Sequence, residues 1–434
     1  MKQPIAIFWF RRDLRLADNV GLFHALQSNS PVLPIFIFDT DILDKLPKND
    51  ARVNFIHDQL KTLKEQLNNE GSSLAVYHGK PLEIYKTLVN KFNINTVYTN
   101  HDYEPYAINR DLEIDAFLIS KNIEFKTYKD HVIFEKTDIV KDDNTPYKVY
   151  TPYSKKWLTA FKNQALIFYP SEDFKTNFIK QENLPFLSLK DIGFKMASIN
   201  VSHFKLTPQL IATYEATRNF PALDATSKLG THLRFGTVSI RRIVEKAAKQ
   251  KNNTFLKELI WREFFMTILW HFPHTITKAF KPKYDTIKWR NNEPEFKRWC
   301  EGKTGYPLVD AGMRELNTTG FMHNRVRMLV GSFLCKHLLI DWRWGEAYFA
   351  EKLHDFELSS NIGNWQWVAG CGVDAAPYFR IFNPTTQIQK FDKDLNYINK
   401  WVPEFQELTY ETPMVDHKFA RERCLKVYKA AVSQ

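Results

Sequence analysis

The 434-residue sequence predicts an α/β N-terminal domain with a doubly wound parallel sheet, joined by a long linker to an all-α C-terminal domain. Three observations lead to this fold class. Short apolar runs alternate with helical patterns in residues 1–130, residues 131–200 have weak periodicity and scattered prolines, and helical spacing dominates residues 201–434. Buried strands that alternate with helices are typical of parallel, doubly wound sheets. We therefore expect the first domain to cover residues 1–130, the linker 131–200 and the helical domain 201–434.

The first domain is expected to contain five strands with helices between them. The apolar runs that predict strands are Ile5–Trp9, Val32–Phe38, Leu74–Tyr77, Thr96–Tyr98 and Glu124–Tyr128. Helical patterns cover Arg52–Leu67, Pro81–Phe92 and Ala107–Ile119. Ligands of such sheets bind beyond the carboxyl ends of the strands. Neither GxGxxG nor GxxxxGK followed by Ser or Thr occurs, so a Rossmann dinucleotide site and a P-loop are not predicted.

The rest of the chain divides into a connection and a helical region. Pro146, Pro152, Pro170 and Pro185 interrupt the connection, which we expect to cross the surface. From residue 201 onward, apolar residues recur every three or four positions. This spacing predicts helices over Ile240–Lys249, Thr254–Trp270, Val309–Asn317, Arg325–Leu339 and Trp344–Leu353.

The composition excludes several classes of protein. Apolar residues make up 44% and charged residues 25%, which is globular composition rather than that of a disordered chain. The four cysteines are far apart and form no CxxC pair, so we expect neither a disulfide framework nor a metal site, in a reducing compartment. No stretch approaches the ~20 apolar residues of a membrane span, and the N-terminus is unlike a signal peptide. We therefore expect a soluble cytoplasmic protein with no membrane partner.

The positive charge is concentrated in the C-terminal half. The chain carries 60 Lys and Arg against 49 Asp and Glu, a net charge of +11. Residues 1–200 hold 26 basic and 25 acidic residues, whereas residues 201–434 hold 34 and 24. This asymmetry favours a polyanionic partner, and nucleic acid fits it. A basic surface that serves only solubility is the alternative, and charge alone does not decide between the two.

The segment ELIWREFF, Glu258–Phe265, brings three functional groups to one helix face. Glu258, Trp261 and Arg262 are three and four residues apart, and residues at that spacing are neighbours on a helix surface. A carboxylate, an indole and a guanidinium together can hydrogen-bond a base edge, stack on the base and hold a phosphate. A surface Glu–Arg pair beside a core Trp is the alternative interpretation.

Two further segments concentrate polar and aromatic groups. MHNRVRM, Met322–Met328, sets an amide close to two guanidiniums that point to different sides of a helix. In His354–Gln387, a cluster of acids and an amide lies just ahead of Trp365 and Trp367. A Gly-rich segment in which polar residues precede aromatic ones is typical of a binding loop.

Together these segments resemble the photolyase/cryptochrome family, and specifically its class I cyclobutane pyrimidine dimer (deoxyribodipyrimidine) photolyases. The resemblance begins at FWFRRDLRLADN, Phe8–Asn19, and includes TSKLG, Thr226–Gly230. It continues through WCEGKTGYPLVDAGMREL, Trp299–Leu316, and LLIDWRWGEAYF, Leu338–Phe349, as well as the three segments above. It covers essentially the whole chain. The family implies that the helical C-terminal domain is an FAD-binding domain that holds folded FAD.

The resemblance also implies which residues hold FAD. By position, the pocket would comprise Tyr214, Thr226, Ser227, Lys228, Leu229, Gly230, Asn324, Arg327, Asp355, Glu357 and Asn361. Hydroxyls and backbone N–H groups of the TSKLG turn suit a pyrophosphate, and Arg327 with Asp355 would form a charge-assisted pair beside the isoalloxazine. Asn361 falls where the family has the residue opposite flavin N5. A neutral amide there favours the anionic, fully reduced flavin.

Three tryptophans match the family's electron relay. In the family three indoles carry an electron from the surface to the flavin, and the matching positions, from the flavin outward, are Trp365, Trp342 and Trp289. An indole suits this role because its radical cation is accessible to an excited flavin. Three core tryptophans are the alternative interpretation. Trp299, ten residues after Trp289, is not expected to be the terminal member.

The implied substrate is UV-damaged DNA, whose pyrimidine dimer is flipped into a cavity above the flavin. Trp261 and Trp367 would wedge the dimer, and Glu258 would hydrogen-bond a pyrimidine and stabilise its radical anion. Other side chains would line the cavity, namely Asn324 and Met328, or neutralise flanking phosphates, namely Arg218, Arg262, Arg325 and Arg380. The implied reaction is light-dependent repair of cyclobutane pyrimidine dimers by electron transfer from excited reduced FAD. We expect a monomer in the cytoplasm, associated with the nucleoid if the source is bacterial.

The sequence departs from the family pattern at positions that would bind the pyrophosphate and an antenna. Position 230 is Gly where the turn usually has Ser, and position 228 is Lys where Arg is common, so phosphate binding would rest on backbone N–H groups and the Lys charge. In HDYEPYAINRD, His101–Asp111, Tyr106 and Ala107 stand where folate-binding members have Asn and Glu. A folate antenna bound in that way is therefore not expected. A deazaflavin, another flavin and no antenna stay open as alternatives.

Two alternative functions exist within the family. A (6-4) photolyase needs a His pair in its cavity, whereas Met322–Asn324 contains only one His. A cryptochrome-type blue-light photoreceptor usually has a long C-terminal tail or altered cavity residues. This sequence ends about 50 residues after the last family motif and retains the cavity residues. We therefore expect repair rather than signalling.

Overall fold

A computed structural model describes residues 3–433 and divides into two compact units. The first unit comprises the chain up to Glu135, Thr159–Ser202 and Leu229–Lys249, and the second comprises Lys136–Leu158, His203–Lys228 and the chain from Gln250 onward. The limits at residues 130 and 200 stay predictions of domain boundaries. By contacts, residues 229–249 group with the first unit, although their helical pattern had assigned them to the C-terminal domain.

The first unit is built on a five-stranded sheet in which all neighbouring strands are parallel. The strands are β1 (Ile5–Phe10), β2 (Val32–Asp39), β3 (Ala75–Gly79), β4 (Ile94–Asn100) and β5 (Glu124–Tyr128). Their order across the sheet is β3-β2-β1-β4-β5. The chain therefore winds to one side of β1 and then to the other, which confirms the predicted doubly wound α/β fold.

Alternate residues of the central strand enter two different apolar layers. Every residue of β1 is buried. Phe8 and Phe10 pack into one cluster, whereas Ile7 and Trp9 pack into another. Successive strand residues point to opposite faces of a sheet, so each cluster occupies one face. Continuous apolar strands are typical of a parallel sheet that is covered on both faces.

Helices make up about half of the remaining described chain. The first nine are α1 (Val20–Leu26), α2 (Thr40–Leu43), α3 (Ala51–Asn68), α4 (Pro81–Lys91), α5 (Pro105–Ile119), α6 (Tyr150–Lys162), α7 (Pro208–Thr217), α8 (Gly230–Arg234) and α9 (Ile240–Ala248). The others are α10 (Thr254–His271), α11 (Glu293–Glu301), α12 (Pro307–Thr319), α13 (Asn324–Ser332), α14 (Trp342–Lys352), α15 (Leu358–Ala369), α16 (Pro384–Phe391), α17 (Asn396–Trp401) and α18 (His417–Val432). Short 3₁₀ segments occupy Ser171–Asn177, Pro273–Ile276 and Pro282–Thr286, and a π-helical segment occupies Phe333–Leu338.

The predicted helices are present, with ends that differ by a few residues. The exception is Arg325–Leu339, in which α-helix changes to π-helix after Ser332. Helix α6 was missed because its proline indicated a connection. Pro152 lies in the first turn of α6, where a helix needs no N–H from it. A large apolar cluster in the second unit draws on α11 to α15, α17 and the π-helical segment, with Trp342 and Trp365 inside it.

A buried ion-pair network holds α9 within the first unit. Arg15 donates through Nη2 to both carboxylate oxygens of Asp130, at 2.8 and 2.7 Å. Arg241, on α9, donates to Asp130 Oδ1 at 2.8 Å and to Asp18 Oδ2 at 3.0 Å. Burial raises the pKa of Asp130, but the two guanidinium charges outweigh it and hold that pKa well below its usual range. These contacts explain why residues 229–249 belong to the first unit.

Candidate functional site

A cavity of about 420 Å³ lies within the second unit. Helices α10, α13 and α15 supply most of its wall, with the end of α7, part of α14 and the chain between α14 and α15. The predicted site residues that line it are Arg218, Glu258, Trp261, Arg262, Asn324, Arg327, Met328, Asp355, Glu357, Asn361, Trp365 and Trp367. The volume is within the ~300–1,000 Å³ that is typical of small-molecule sites. The fold thus brings three separate motifs to one space.

The predicted pair of Arg327 and Asp355 forms in the cavity wall. Arg327 Nη1 donates to Asp355 Oδ1 at 3.1 Å and Nη2 donates to Oδ2 at 2.9 Å, a two-pronged arrangement. Arg327 Nε donates to the carbonyl of Met322 at 2.7 Å. Because each nitrogen has its own acceptor, the guanidinium is fixed in one orientation.

Arg262 is paired with an acid in the cavity wall. Its Nε donates to Glu357 Oε2 at 3.0 Å, and both side chains are about nine-tenths buried, with 10% and 7% exposed. A buried guanidinium that is paired with a carboxylate is not positioned as a surface cation. This pairing favours a role for Arg262 in holding Glu357 within the cavity wall over the predicted phosphate contact.

Glu258 and Arg218 form an ion pair at the cavity. Both side chains are partly exposed. Burial raises the pKa of Glu258, and the neighbouring Arg218 opposes that rise. The carboxyl group is therefore held by a partner that favours its charged form, in surroundings that favour its neutral form.

The amide of Asn361 is oriented by an acid that the sequence did not single out. Asn361 Nδ2 donates to the carbonyl of Glu346 at 3.1 Å and to its Oε1 at 2.9 Å. Both amide hydrogens are thus engaged, and the carbonyl oxygen of Asn361 takes no part in these bonds. Burial raises the pKa of Glu346, opposed by the hydrogen bond from Asn361.

The segment predicted as a binding loop is in large part a helix. Trp365 and Trp367 both belong to α15 and both line the cavity. The prediction was wrong because the glycines were taken as loop signals. A Cβ on Gly363 would lie 2.2 Å from the ring of Phe265, so this glycine permits α15 to pack closely against α10. Apolar spacing at Ile362 and Trp365 could have indicated the helix.

The three predicted relay tryptophans differ in their exposure to solvent. Trp365 lines the cavity, Trp342 is buried in the same core cluster, and Trp289 is partly exposed against that cluster. Trp299 is fully buried and contacts Trp365, with ring centroids 6.2 Å apart. Full burial agrees with the expectation that Trp299 is not the surface member. The relay itself stays a prediction.

The residues predicted to hold the pyrophosphate do not line this cavity. Thr226, Ser227 and Lys228 are partly exposed in the second unit, where Lys228 has φ +52° and its ammonium group lies 2.9 Å from Asp224. Tyr214 is partly buried, and burial, aided by the charge of Glu258, raises its pKa to about 12. Leu229 is buried and Gly230 begins α8, both in the first unit. Their cofactor contacts stay predictions.

Two of the arginines that were predicted to contact phosphates lack an acidic partner within residues 3–433. No carboxylate in that range pairs with Arg325 or Arg380. Arg325 instead donates to Asn219 Oδ1 and lies 4.4 Å over the ring of Phe391. Burial lowers the pKa of Arg325, and the charges of Arg218 and Arg380 lower it further. Arg325 is thus a cation in a positive field, which an anionic ligand would stabilise.

The segment compared with the folate-binding members, His101–Asp111, begins at the carboxyl end of the sheet. The Tyr106 hydroxyl donates to Asp39 Oδ2 at 2.7 Å, just where β2 ends. Arg11 and Arg110 each lie 4.8 Å from the ring centroid of Trp9, at the end of β1. No antenna is assigned from these contacts.

The cavity residues fit a flavin. An isoalloxazine ring needs flat apolar contacts and hydrogen-bonding partners at its polar edge. The wall offers the rings of Trp365 and Phe349 together with the Arg327–Asp355 pair and the amide of Asn361. Within residues 3–433, no group of His, Cys, Asp and Glu could hold a metal ion. No helix in the same range is long and apolar enough to cross a membrane.

The protein thus combines a parallel α/β unit with a helical unit whose cavity has the size of a cofactor site, as in cofactor-dependent enzymes of two domains. Comparison with known families makes this specific. Residues 6–172 match the DNA photolyase family, and residues 255–409 match the FAD binding domain of DNA photolyase. The chain is 35% identical to the deoxyribodipyrimidine photo-lyase of Agrobacterium fabrum, over 99% of this chain and 98% of that protein. The chain belongs to the photolyase/cryptochrome family, and FAD is its cofactor.

Solved structures agree with this assignment. The structure of a bacterial class III photolyase from Agrobacterium tumefaciens has a TM-score of 0.89 and 32% identity, over 100% of this chain and 99% of that one. A cryptochrome from Synechocystis sp. PCC6803 has a TM-score of 0.85 and 26% identity, over 98% of this chain and 99% of that one. These similarities establish the family. They do not distinguish the expected class I from the other classes of photolyase.

Proposed function

We propose that this protein is a deoxyribodipyrimidine photolyase that repairs cyclobutane pyrimidine dimers in DNA under light. The observation that carries the proposal is one cavity shared by Glu258, Trp261 and Trp367 with Asn361 and the Arg327–Asp355 pair. The first three groups suit a stacked, hydrogen-bonded base, and the others suit the polar edge of a flavin. A base and a flavin can therefore be held in contact.

The protein's part in the reaction is to bind, orient and shield. When bound and excited by light, reduced FAD supplies the electron that opens the cyclobutane ring and takes it back afterwards. The Arg327–Asp355 pair would hold the polar edge of the flavin ring. Asn361 would present its carbonyl oxygen to that ring, because its amide hydrogens are bonded to Glu346.

Glu258 would hold the pyrimidine dimer. Its pKa is raised by burial while Arg218 favours the charged form, so the group can accept a hydrogen bond from a base N–H or donate one to a base carbonyl. Arg218 keeps the carboxyl group in place before the substrate arrives. Trp261 and Trp367 would stack on the dimer, at roughly 1–3 kcal/mol for each base.

The phosphates that flank the dimer would contact Arg325 and Arg380, with Arg218 nearby. Neither Arg325 nor Arg380 has a carboxylate partner within the described chain. Mutual repulsion among the three cations would be relieved by phosphate, which supports their assignment to the DNA backbone. Arg262 would serve the cavity wall through Glu357.

The cofactor would be kept reduced by electrons that pass inward from solvent through Trp289, Trp342 and Trp365. The positions support this, since Trp365 lines the cavity and Trp289 is partly exposed. The pyrophosphate would be held by Tyr214 and the Thr226–Gly230 turn, with Asn324 and Glu357 completing the cofactor contacts.

Class, assembly and location are further parts of the proposal. The motifs support class I, and a tree that contains class I and class III photolyases tests this. We propose a monomer, which light scattering of the purified protein tests. A protein that acts on genomic DNA works where that DNA lies, so we propose the cytoplasm, and the nucleoid in a bacterium.

A cryptochrome-type photoreceptor is the second candidate, since a cryptochrome structure is similar over nearly the whole chain. Repair of the (6-4) lesion has less support. His323 is 3% exposed, its Nδ1 accepts the N–H of Arg325, and burial with nearby arginines lowers its pKa to about 4. Such a histidine is neutral near pH 7 and does not line the cavity.

The deciding experiment is a light-dependent repair assay. Purified protein with reduced flavin is mixed with an oligonucleotide that carries one thymine cyclobutane dimer, then kept dark or exposed to blue light. We expect base absorbance to return only under light. If a flavin-loaded, DNA-binding sample restores no absorbance, the proposal is wrong, and a (6-4) oligonucleotide is tested next.

A further inference from the structure

One face of the Trp261 indole is covered by another aromatic ring. The ring centroids of Tyr150 and Trp261 are 3.7 Å apart and the planes differ by 7°, which is parallel stacking. Trp261 lines the cavity, whereas Tyr150 does not. Both residues belong to the second unit. A base is thus excluded from the covered face of the indole, and any stacking must use a different side of the ring.

Tyr150 is itself fixed by contacts with helix α10 and with the chain that follows α15. Its hydroxyl donates to the carbonyl of Lys257 at 2.8 Å, and its N–H donates to Asp374 Oδ2 at 3.1 Å. The edge of its ring packs against Phe264, with centroids 5.9 Å apart. Burial and the charge of Glu258 raise the pKa of Tyr150, so its hydroxyl keeps the proton that it donates.

The contacts that fix Tyr150 also lower the cost of ordering Trp261 when a ligand binds. Ordering a side chain when a ligand arrives reduces affinity, and a side chain that is already held does not carry that cost. Lys257 is on α10, one turn before Trp261, so the hydroxyl bond fixes Tyr150 to the same helix that carries the indole. The ring of Trp261 cannot rotate about its side-chain bonds without displacing Tyr150.

We propose that Tyr150 is a positioning residue for lesion recognition, which holds the Trp261 indole in the orientation that stacks on a flipped pyrimidine dimer. This inference rests on the proposed function and extends it, because it assigns discrimination between damaged and undamaged DNA to a residue outside the cavity. Undamaged DNA keeps its bases in the duplex and contacts mainly the arginines, so its binding does not depend on Tyr150.

The test is the ratio of two affinities measured in the dark with FAD-loaded protein. One duplex carries a single thymine cyclobutane dimer, and the other has the same sequence without it. We expect Tyr150→Leu to reduce the preference for the damaged duplex by about three- to tenfold, the range for one side chain left to be ordered on binding. Binding of the undamaged duplex should not change.

Two further variants separate positioning from packing. Tyr150→Phe keeps the stacked ring and loses only the hydrogen bond to Lys257, so it should keep most of the preference of the unmodified protein. Tyr153→Leu removes a fully buried tyrosine one turn later on α6, which contacts Phe264 rather than Trp261. It should lower the thermal unfolding temperature and leave the preference unchanged. If Tyr150→Leu loses its flavin, Tyr150→Met is used for the same comparison.

The proposal is overturned if Tyr150→Leu keeps the full preference, or if Tyr153→Leu loses as much of it. It is also overturned if Tyr150→Phe behaves like Tyr150→Leu, since the stacked ring would then not be the cause. Failure of the proposed function is a separate result. In that case the unmodified protein itself shows no preference for the damaged duplex and no repair under light.

Discussion

At the residue scale, the cavity depends on pairs whose members come from different elements of the second unit. Arg327 is held by Asp355, Arg262 by Glu357, and Asn361 by Glu346. In each pair one side chain uses its hydrogen-bonding groups on the partner, and the geometry of the wall is set before any ligand binds. This arrangement is typical of a site in which the protein orients and the cofactor reacts.

Glu258 is expected to contribute to substrate binding and not to flavin binding. Glu258→Ala should weaken the affinity for dimer-containing DNA by about 10- to 100-fold, because a hydrogen bond to a charged group contributes about 1.5–3 kcal/mol. Flavin content, measured by absorbance, should not change, and repair per absorbed photon should fall. Glu245→Ala, at an exposed ion pair on α9, is the control. Unchanged repair in Glu258→Ala would contradict this role.

Trp365 is expected to serve photoreduction and not repair. Trp365→Phe should abolish light-driven reduction of oxidised flavin, because phenylalanine is not oxidised readily, while chemically reduced protein repairs at nearly the normal rate. The measurement is flavin absorbance under illumination with an added thiol. Trp299→Phe, which changes the buried neighbour of Trp365, should leave photoreduction intact. Loss of both activities in Trp365→Phe would count against the relay.

At the element scale, close helix packing is made possible by glycines at defined positions. A Cβ on Gly345 of α14 would lie 2.1 Å from the ring of Trp365, and one on Gly363 of α15 would lie 2.2 Å from Phe265. Both glycines are inside helices, where a residue without a side chain is otherwise unfavourable. They bring α14 and α10 into contact with α15, which is how the cavity wall is assembled.

The first unit is expected to depend on the buried network of Arg15, Asp18, Asp130 and Arg241. Asp130→Asn should lower the free energy of unfolding by about 3–5 kcal/mol, because two guanidiniums would lose a fully buried carboxylate partner. Urea unfolding followed by circular dichroism measures this. Asp142→Asn, at an exposed pair with Lys156, should change it by less than about 1 kcal/mol.

The same network predicts the direction of a pH effect. The pKa of Asp130 is lower in the folded protein than in the unfolded chain, so its contribution to stability is fully present above about pH 4 and is lost as the pH falls. Below that pH, the unmodified protein should lose stability more steeply than Asp130→Asn does. Equal slopes would show that this carboxylate does not carry the effect.

At the scale of the whole molecule, we expect part of the positive charge of residues 201–434 to contact the DNA backbone. Arg380 is exposed and has no carboxylate partner within residues 3–433. Arg380→Ala should reduce the slope of log K against log salt by about 0.9, because one phosphate contact is lost. Damaged and undamaged DNA should be affected alike. Binding assays at several salt concentrations measure the slope.

The control for this charge effect is Lys86→Ala, which removes one positive charge from α4 of the first unit, where Lys86 pairs with Glu83. Its net charge equals that of Arg380→Ala, but its salt slope should equal that of the unmodified protein. If both variants change the slope equally, the effect is one of total charge and Arg380 has no specific contact.

The strands and long helices could be predicted because their signals are local. An apolar run such as Ile5–Trp9 or a three- and four-residue repeat such as Thr254–Trp270 reports burial within a few residues. The change to π-helix after Ser332 could not be predicted in this way, and helix α15 was missed because its glycines outweighed the helical spacing of Ile362 and Trp365. At both places, the elements that pack against the chain determine where a glycine is needed and which backbone conformation forms.

The sequence alone was sufficient for the fold class, the family and most of the cavity residues, because motifs and periodicity are carried by neighbouring positions. Tertiary structure decided the partners of those residues. Arg262 pairs with Glu357 across 95 positions of sequence, Asn361 is oriented by Glu346, and Trp261 is covered by Tyr150. Contacts between distant elements depend on how helices pack in three dimensions, and no local pattern records that packing.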